Sequence, residues 1–107
     1  MKHIRLAVDI MGGDFGPSTT IEALDIASKS HPNIFFRLFG NKNKAVKELS
    51  KFKDFVNYEI IHTSEEVKSH HAPVDAMRKF KQSSLRLAIN DVNVKRSDGV
   101  VSAGNTG

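Results

Sequence analysis

Residues 4–14 read Ile-Arg-Leu-Ala-Val-Asp-Ile-Met-Gly-Gly-Asp. Its first seven residues are mostly apolar and partly β-branched, which is typical of a buried strand. Three glycines and Pro17 then break the run over residues 11–17. A buried strand, a glycine-rich turn and a following helix are together the first unit of an alternating α/β fold.

A first helix is predicted directly after this turn. Thr19 and Glu22 have the spacing of a capping box, in which a hydroxyl and a carboxylate satisfy first-turn backbone donors. Pro32 is expected to end the helix. Its buried face is predicted from residues at helical spacing, which are Ile21, Leu24, Ala27 and Ser28.

Two more strands and a second helix follow. The strands are predicted at 33–39 and 56–61, with a turn at Gly40-Asn41. The helix between them has apolar residues at i, i+1, i+4 and i+7, which favours burial of that stripe. The stripe consists of Ala45, Val46, Leu49 and Phe52.

The last part of the chain predicts a loop, a third helix and a fourth strand. The loop is polar and covers 62–72, and Pro73 suits the first turn of the helix. Ser83-Ser84 either interrupts this helix or begins a new segment, because serine competes for its own backbone. Asp98-Gly99 then turns the chain into a strand at 100–101. The apolar stripe of the helix is Leu85, Ala88, Ile89 and Val92.

The order β-α-β-α-β-α-β predicts a mainly parallel sheet with helices on both faces. With right-handed crossovers, this is a Rossmann-like, doubly wound α/β/α sandwich of three layers. A fourth crossover needs a helix after the small-residue segment 102–107. We therefore expect residues 1–107 to be the N-terminal part of one longer domain.

Composition narrows the class of protein. The 107 residues are 39% hydrophobic and 26% charged, which allows a modest core and argues against disorder. The absence of cysteine excludes disulfides, zinc–thiolate sites, iron–sulfur clusters and a cysteine nucleophile. No apolar run approaches the roughly 20 residues that cross a bilayer, and the N-terminal run is too short for a signal peptide. A cytoplasmic location is the expectation.

The charge is unevenly distributed. The formal net charge is +4. Residues 42–54 contain five lysines, and their only acidic residues are Glu48 and Asp54. This stretch is either a solvated helix face or a surface that attracts an anionic partner. Nucleic acid is disfavoured because no aromatic residues interleave with the lysines and no nucleic-acid-binding motif is present. An acidic carrier protein is the other anionic partner considered.

The first loop with possible chemistry holds Asp9, Gly12, Gly13 and Asp14. Glycines at the end of a parallel strand let backbone N–H groups approach a phosphate, and the two carboxylates can accept hydrogen bonds or orient a water. The alternative is a tight βα turn in which Asp14 helps to cap the helix. The run is neither a dinucleotide-binding glycine motif nor a Walker A loop.

Two further segments are candidates. Residues 102–107 combine small residues, hydroxyls and an amide, which can surround an oxyanion with donors or form a flexible turn. Arg78, Lys79 and Lys81 precede the Ser83-Ser84 pair, and this set either holds a phosphate or lies on a solvated helix face. His70 and His71 are adjacent and diverge, so no metal site is predicted.

Three motifs in order resemble those of the bacterial acyl-ACP:phosphate acyltransferases, also called fatty acid/phospholipid synthesis proteins. Residues 9–14 match the family opening D-A-M-G-G-D except that Ile10 replaces alanine. Residues 73–84 match P-x-x-A-x-R followed by basic residues and a serine pair, although Phe80 replaces a basic residue. Residues 101–107 match V-S-A-G-N-T-G.

The resemblance implies a function. Members of this family convert acyl-[acyl carrier protein] and inorganic phosphate to acyl phosphate, which feeds phospholipid synthesis, without a cofactor. They are homodimers of about three times this length, associated with the cytoplasmic face of the membrane. Acyl carrier protein is thus the expected partner. This chain alone is expected to be inactive, and the alternatives are a non-catalytic remnant, a small binding module or, from topology alone, a nucleotide-binding domain.

The resemblance also implies roles for residues. A phosphate oxygen attacks the thioester carbonyl directly, so the site must position phosphate and stabilise an oxyanion. Asn105 would donate to that oxyanion, Arg78 and Lys81 would screen phosphate, and Asp9 would shape its loop. The expected catalytic set is Asn105, Ser102 and Thr106. The expected phosphate- and substrate-binding set is Gly12, Gly13, Asp14, Arg78, Lys81, Ser83, Ser84, Gly104 and Gly107.

Overall fold

A computed structural model describes residues 3–12, 16–63 and 83–102. In chain order its elements are β1 (Ile4–Asp9), α1 (Pro17–Ser30), β2 (Ile34–Gly40), α2 (Lys42–Leu49), β3 (Tyr58–His62), α3 (Ser84–Asn93) and β4 (Gly99–Ser102). The strands form one sheet in the order β3-β2-β1-β4, and every pairing is parallel. This confirms the predicted α/β, Rossmann-like class.

The sheet has a large core on one face and a smaller one on the other. Alternate residues of β1 divide between the two, because successive side chains of a strand point to opposite faces. Val8 faces α1 and α2, whereas Ala7 faces α3 and packs with Phe39 and Ala88. The larger core comprises Val8, Ile10, Ile21, Leu24, Phe36, Leu38, Ala45, Leu49 and Phe55. Helices therefore cover both faces, as the three-layer prediction requires.

The first helix begins differently from the prediction. Gly16 is its N-cap, with φ +62°, and as a glycine it has no side chain with which to cap the first turn. Pro17 occupies the first helical position, where its missing N–H costs little. The capping box predicted at Thr19 and Glu22 is therefore wrong, since both residues lie inside a helix that starts earlier.

The second and third helices each expose one residue of their predicted apolar stripes. Val46 is 49% exposed and Ile89 is 40% exposed, so these two assignments were wrong. Charged residues are buried on these helices instead: Glu48 on α2, where it pairs with Lys51, and Asp91 on α3. Burial of a carboxylate is tolerated because each has a cationic partner.

Arg37 of β2 holds α3 against the sheet. Its Nε donates to Asp91 Oδ2 at 2.7 Å and its Nη2 donates to Asp91 Oδ1 at 3.1 Å, which is a bidentate pair. Arg37 also pairs with Glu59 of β3. Ser97 donates its hydroxyl to the same Asp91 carboxylate. One aspartate thus links β2, α3 and the segment that leads into β4.

The start of β4 is fixed to β1 by a reciprocal pair of hydrogen bonds. The Asp98 amide donates to the Arg5 carbonyl at 2.7 Å, and the Arg5 amide donates to Asp98 Oδ2 at 2.9 Å. These bonds set the register in which Leu6 lies opposite Gly99 and Asp9 lies opposite Ser102.

Candidate functional site

The strand order reverses between β1 and β4. We call the region at the carboxyl ends of these two strands the crevice. The chain leaves β1 toward β2 and β3 on one side, and returns to place β4 on the other side. In doubly wound sheets, ligands bind where the strand order reverses in this way. Asp9 and Ser102 are the terminal register partners of these two strands, so both lie at this crevice.

Asp9 is the hydrogen-bonding centre of the crevice. It is only 3% exposed, and its carboxylate accepts three hydrogen bonds from other parts of the chain. The Met11 amide donates to Oδ1 at 3.0 Å, the Ser84 hydroxyl donates to Oδ1 at 2.5 Å, and the Ser102 hydroxyl donates to Oδ2 at 2.9 Å. One buried side chain therefore joins the loop after β1, the start of α3 and the end of β4.

The direction of these bonds limits what the two serines offer a ligand. A carboxylate only accepts hydrogen bonds, so the hydroxyl protons of Ser84 and Ser102 are directed at Asp9. With that arrangement, donors for an anionic group have to come from groups other than these two hydroxyls. The binding role of Ser84, the catalytic role of Ser102 and the loop-shaping role of Asp9 stay predictions.

Ser83 and Ser84 begin α3, and the residues before them, where the helix predicted from Pro73 would lie, are outside the described residues. Ser83 is the N-cap, and its hydroxyl accepts from the Arg86 amide at 3.3 Å. Both serines are almost completely buried, at 1% and 2% exposure. Their hydroxyls hold α3 in place at the crevice, and the phosphate-binding role of Ser83 stays a prediction.

The loop after β1 lies across the end of β2. Gly12 is buried, and Met11 Sδ accepts from the Asn41 amide at 3.4 Å. Gly40 makes this approach possible, because a Cβ there would lie 2.5 Å from Ile10 Cγ1 and 2.9 Å from Met11 Cγ. The Gly40-Asn41 turn thus supports the glycine-rich loop as well as reversing the chain.

The start of α2 lies beside the carboxyl ends of β2 and β3. The Lys42 amide donates to His62 Nδ1 at 3.0 Å, and the Lys44 amide donates to Asn41 Oδ1 at 3.1 Å. Two of the helix's first N–H groups are thus used by protein side chains. Thr63 follows β3 and is buried, and its Oγ1 has no hydrogen-bond partner among residues 3–12, 16–63 and 83–102. His62 was predicted to begin a loop but is the last residue of β3, and Thr63 directly after it was not singled out, although such residues lie at this edge.

Eight predicted site residues lie outside the described residues. They are Gly13, Asp14, Arg78, Lys81, Gly104, Asn105, Thr106 and Gly107. Within the described ranges, no three His, Asp or Glu side chains are grouped as a metal site would require. In that same part of the chain, none of the helices has both the length and the apolar character needed to span a bilayer.

Known proteins match the whole chain. Residues 4–107 match the family described as "Fatty acid synthesis protein". The chain belongs to this family. Relatives named phosphate acyltransferase include proteins of Pelagibacter ubique (41% identity, 99% of this chain), Shewanella loihica (40%, 100%) and Haemophilus ducreyi (41%, 100%). The chain spans about a third of the length of these relatives, 32% in each case.

Membership of the fatty acid synthesis protein family confirms the resemblance read from the three motifs. The described part of each motif contributes to a single structural junction. Asp9 comes from the first motif, Ser84 from the second and Ser102 from the third. The hydroxyls of both serines donate hydrogen bonds to the Asp9 carboxylate. These three residues are therefore neighbours in space although residues 9 and 102 are 93 positions apart.

Proposed function

We propose that this chain supplies the crevice in which a phosphate acyltransferase transfers an acyl group from acyl carrier protein to inorganic phosphate. The observation that carries the proposal is the convergence of three family motifs on Asp9. The names of the relatives support the same class of reaction. The whole reaction belongs to the longer proteins of the family, and the chain spans about a third of their length.

The proposed reaction is a direct displacement at the thioester. A phosphate oxygen forms a bond to the acyl carbonyl carbon, and the bond from that carbon to the pantetheine sulfur breaks. The thiolate leaves and takes up a proton from solvent. Phosphate is already anionic at neutral pH, so the step needs positioning and an oxyanion donor rather than a strong base. An Asp9 carboxylate that accepts three hydrogen bonds is suited to positioning the surrounding loops.

Donors to the phosphate and to the oxyanion are part of the proposal. The hydroxyl protons of Ser84 and Ser102 point to Asp9, so we assign phosphate contacts to the backbone of Gly12 and Gly13 and to Arg78 and Lys81. Asn105 is assigned as the donor to the oxyanion. Thr106, Gly104 and Gly107 would line the same loop.

The lysine-rich stretch is proposed as the docking surface for the carrier protein. Lys42, Lys44 and Lys47 are exposed on α2, whose first residue is tied to the sheet edge by His62. An acidic partner approaching this face would be attracted by these charges. A homodimer at the cytoplasmic face of the membrane is part of the same proposal. The non-catalytic alternative is that the chain binds the carrier protein without any acyl transfer.

The test joins this chain to the part of the Pelagibacter ubique relative that it does not cover. The fused protein is incubated with acyl carrier protein thioester and phosphate, and acyl phosphate is trapped with hydroxylamine while released thiol is counted. We expect phosphate-dependent product, a loss of about tenfold or more for Asp9→Ala and no loss for the exposed control Asp54→Ala. Carrier binding without product would establish the non-catalytic alternative and overturn the proposal.

A further inference from the structure

The first turn of α2 is attached to two other parts of the fold. The Lys44 amide donates to Oδ1 of the N-cap Asn41 at 3.1 Å, which is an ordinary helix cap. The other two acceptors come from outside the helix: Met11 Sδ accepts from the Asn41 amide at 3.4 Å, and His62 Nδ1 accepts from the Lys42 amide at 3.0 Å. A helix of eight residues is not stable in isolation, so the position of α2 depends on contacts of this kind.

Met11 connects the start of α2 with the crevice. Its backbone amide donates to Asp9 Oδ1 at 3.0 Å, and its sulfur accepts from the amide of Asn41. Gly40 lets the loop after β1 pass this close, because a Cβ there would lie 2.9 Å from Met11 Cγ. One residue of the loop after β1 therefore contacts both the buried carboxylate of the crevice and the N-cap of the lysine-bearing helix.

His62 holds the same turn from the side of β3. It is the last residue of that strand, it lies opposite Gly40 in the sheet, and its side chain is exposed. An imidazole nitrogen accepts a hydrogen bond only when it carries no proton, so Nδ1 is unprotonated and the neutral ring has its proton on Nε2. His62 therefore acts here as an acceptor for the backbone of Lys42 and not as a cation.

We propose that His62 is a positioning residue for the carrier protein. Lysine side chains are flexible, so their charges are directed by fixing the backbone that bears them. The imidazole fixes the backbone of Lys42, and with it the exposed Lys44 and Lys47 of the same helix, beside the loop after β1. A carrier protein bound to these lysines would then present its thioester toward the crevice. The inference rests on the function proposed above and gives a role in it to a residue outside the three family motifs.

The experiment measures the KM of each substrate separately, in the fusion of this chain with the uncovered part of the Pelagibacter ubique relative. In His62→Leu we expect the KM for the carrier thioester to rise by about three- to tenfold, the fold-change of one lost hydrogen bond. The KM for phosphate should not change, because the loop after β1 keeps its bond to Asp9. His62→Asn should restore most of the lost affinity, since an amide oxygen can accept from the Lys42 amide. His31→Leu is the matched control, because His31 is an exposed histidine at the end of α1, where β2 begins.

Three kinetic results would overturn the positioning role. They are an unchanged KM for the carrier thioester in His62→Leu, an equal rise in both KM values, and a failure of His62→Asn to restore the KM. An equal rise would mean that His62 supports the crevice as a whole.

A second measurement separates this role from the proposed reaction. Binding of fluorescently labelled carrier protein is followed by anisotropy in the absence of phosphate. Weaker binding by His62→Leu that His62→Asn restores would support the positioning role, even where the parent fusion forms no acyl phosphate and the proposed reaction is overturned. Equal binding by the parent and His62→Leu would overturn the positioning role and leave the proposed reaction standing.

Discussion

Ser84 donates its hydroxyl proton to Oδ1 of Asp9 across 2.5 Å, joining residues 75 positions apart. The bond is buried, with Ser84 at 2% and Asp9 at 3% exposure. It fixes the first turn of α3 against the last residue of β1. A neutral donor to a buried carboxylate contributes more than an exposed hydrogen bond, because the carboxylate has no water to replace it.

Ser84→Ala should therefore destabilise the fold. Removing the donor leaves one acceptor position of Asp9 empty in a buried site, and we expect the free energy of unfolding to fall by about 1–2 kcal/mol. Urea unfolding followed by circular dichroism measures this. Ser50→Ala is the matched control, since the Ser50 hydroxyl donates to the Lys47 carbonyl at the exposed end of α2. Equal losses for the two variants would contradict a special role for the Ser84 bond.

The free energy of unfolding should fall at acid pH because the Asp91 carboxylate becomes protonated. Burial raises the pKa of Asp91, but hydrogen bonds from Arg37 and Ser97 and the charges of Arg37 and Arg96 outweigh burial and hold the pKa below its ordinary value. A lowered pKa in the folded state gives stability that is present above the unfolded value and is lost as pH falls through the folded value. The loss should therefore appear below about pH 4.

Asp91→Asn isolates this contribution. At pH 7 the variant should be less stable by about 2 kcal/mol, because charged hydrogen bonds to Arg37 are lost. Below about pH 4 the gap between the two proteins should narrow as Asp91 itself becomes protonated. Urea unfolding at several pH values between 3 and 7 measures the gap. A gap that stays constant over this range would show that Asp91 is not the titrating group.

Gly40 should tolerate no side chain. An added Cβ would stand 2.5 Å from Ile10 Cγ1 and 2.9 Å from Ile10 Cδ1, and the core around Ile10 is fully buried. We expect Gly40→Ala to lower the free energy of unfolding by about 1–3 kcal/mol through overpacking. Gly99→Ala is the control, because among the described residues its Cβ would meet Leu6 Cδ2 alone, at 3.3 Å. A larger loss at Gly99 than at Gly40 would contradict the packing argument.

Asn105 is the residue whose catalytic role is most directly testable. In the fused protein that contains the remaining part of the family's length, Asn105→Ala should lower turnover by about tenfold or more, because an oxyanion donor is lost. Trapping of acyl phosphate with hydroxylamine measures turnover. Asn90→Ala, on the exposed side of α3, should leave it unchanged. Unchanged kinetics for the Asn105 variant would remove that side chain from the mechanism.

The topology followed from sequence because it depends on local patterns. Short apolar strands alternate with helices of period 3.6, and chain sterics then favour right-handed parallel crossovers. The errors in the buried helix faces fell where a charged residue is buried in place of an apolar one. Glu48 and Asp91 are buried because Lys51 and Arg37 accompany them, and for Asp91 the partner lies 54 positions away. The spacing of apolar residues along a helix does not predict an ion pair with a residue so far away in the sequence.

The sequence predicted which residues belong to the site better than it predicted how their side chains contact one another. Asp9, Ser84 and Ser102 were each identified from a motif, and β1, α3 and β4 bring them together. The sequence did not show that both hydroxyls donate to Asp9, since hydrogen-bond direction depends on which acceptor lies within about 3 Å. The contact of His62 with α2 and the burial of Thr63 were not predicted for a similar reason, because a polar stretch after a strand is typical of a loop.

The reciprocal bonds between Arg5 and Asp98 have a consequence for folding during synthesis. They link residues 93 positions apart, so β1, the first strand to leave the ribosome, acquires its second neighbour only when β4 is made. Until then, β1 is itself an edge strand, with Val8 and Ala7 lacking half of their final strand contacts. Closing so long a loop is entropically costly and slow. Among the four described strands, the pairing of β1 with β4 near the centre of the sheet is thus the last to form.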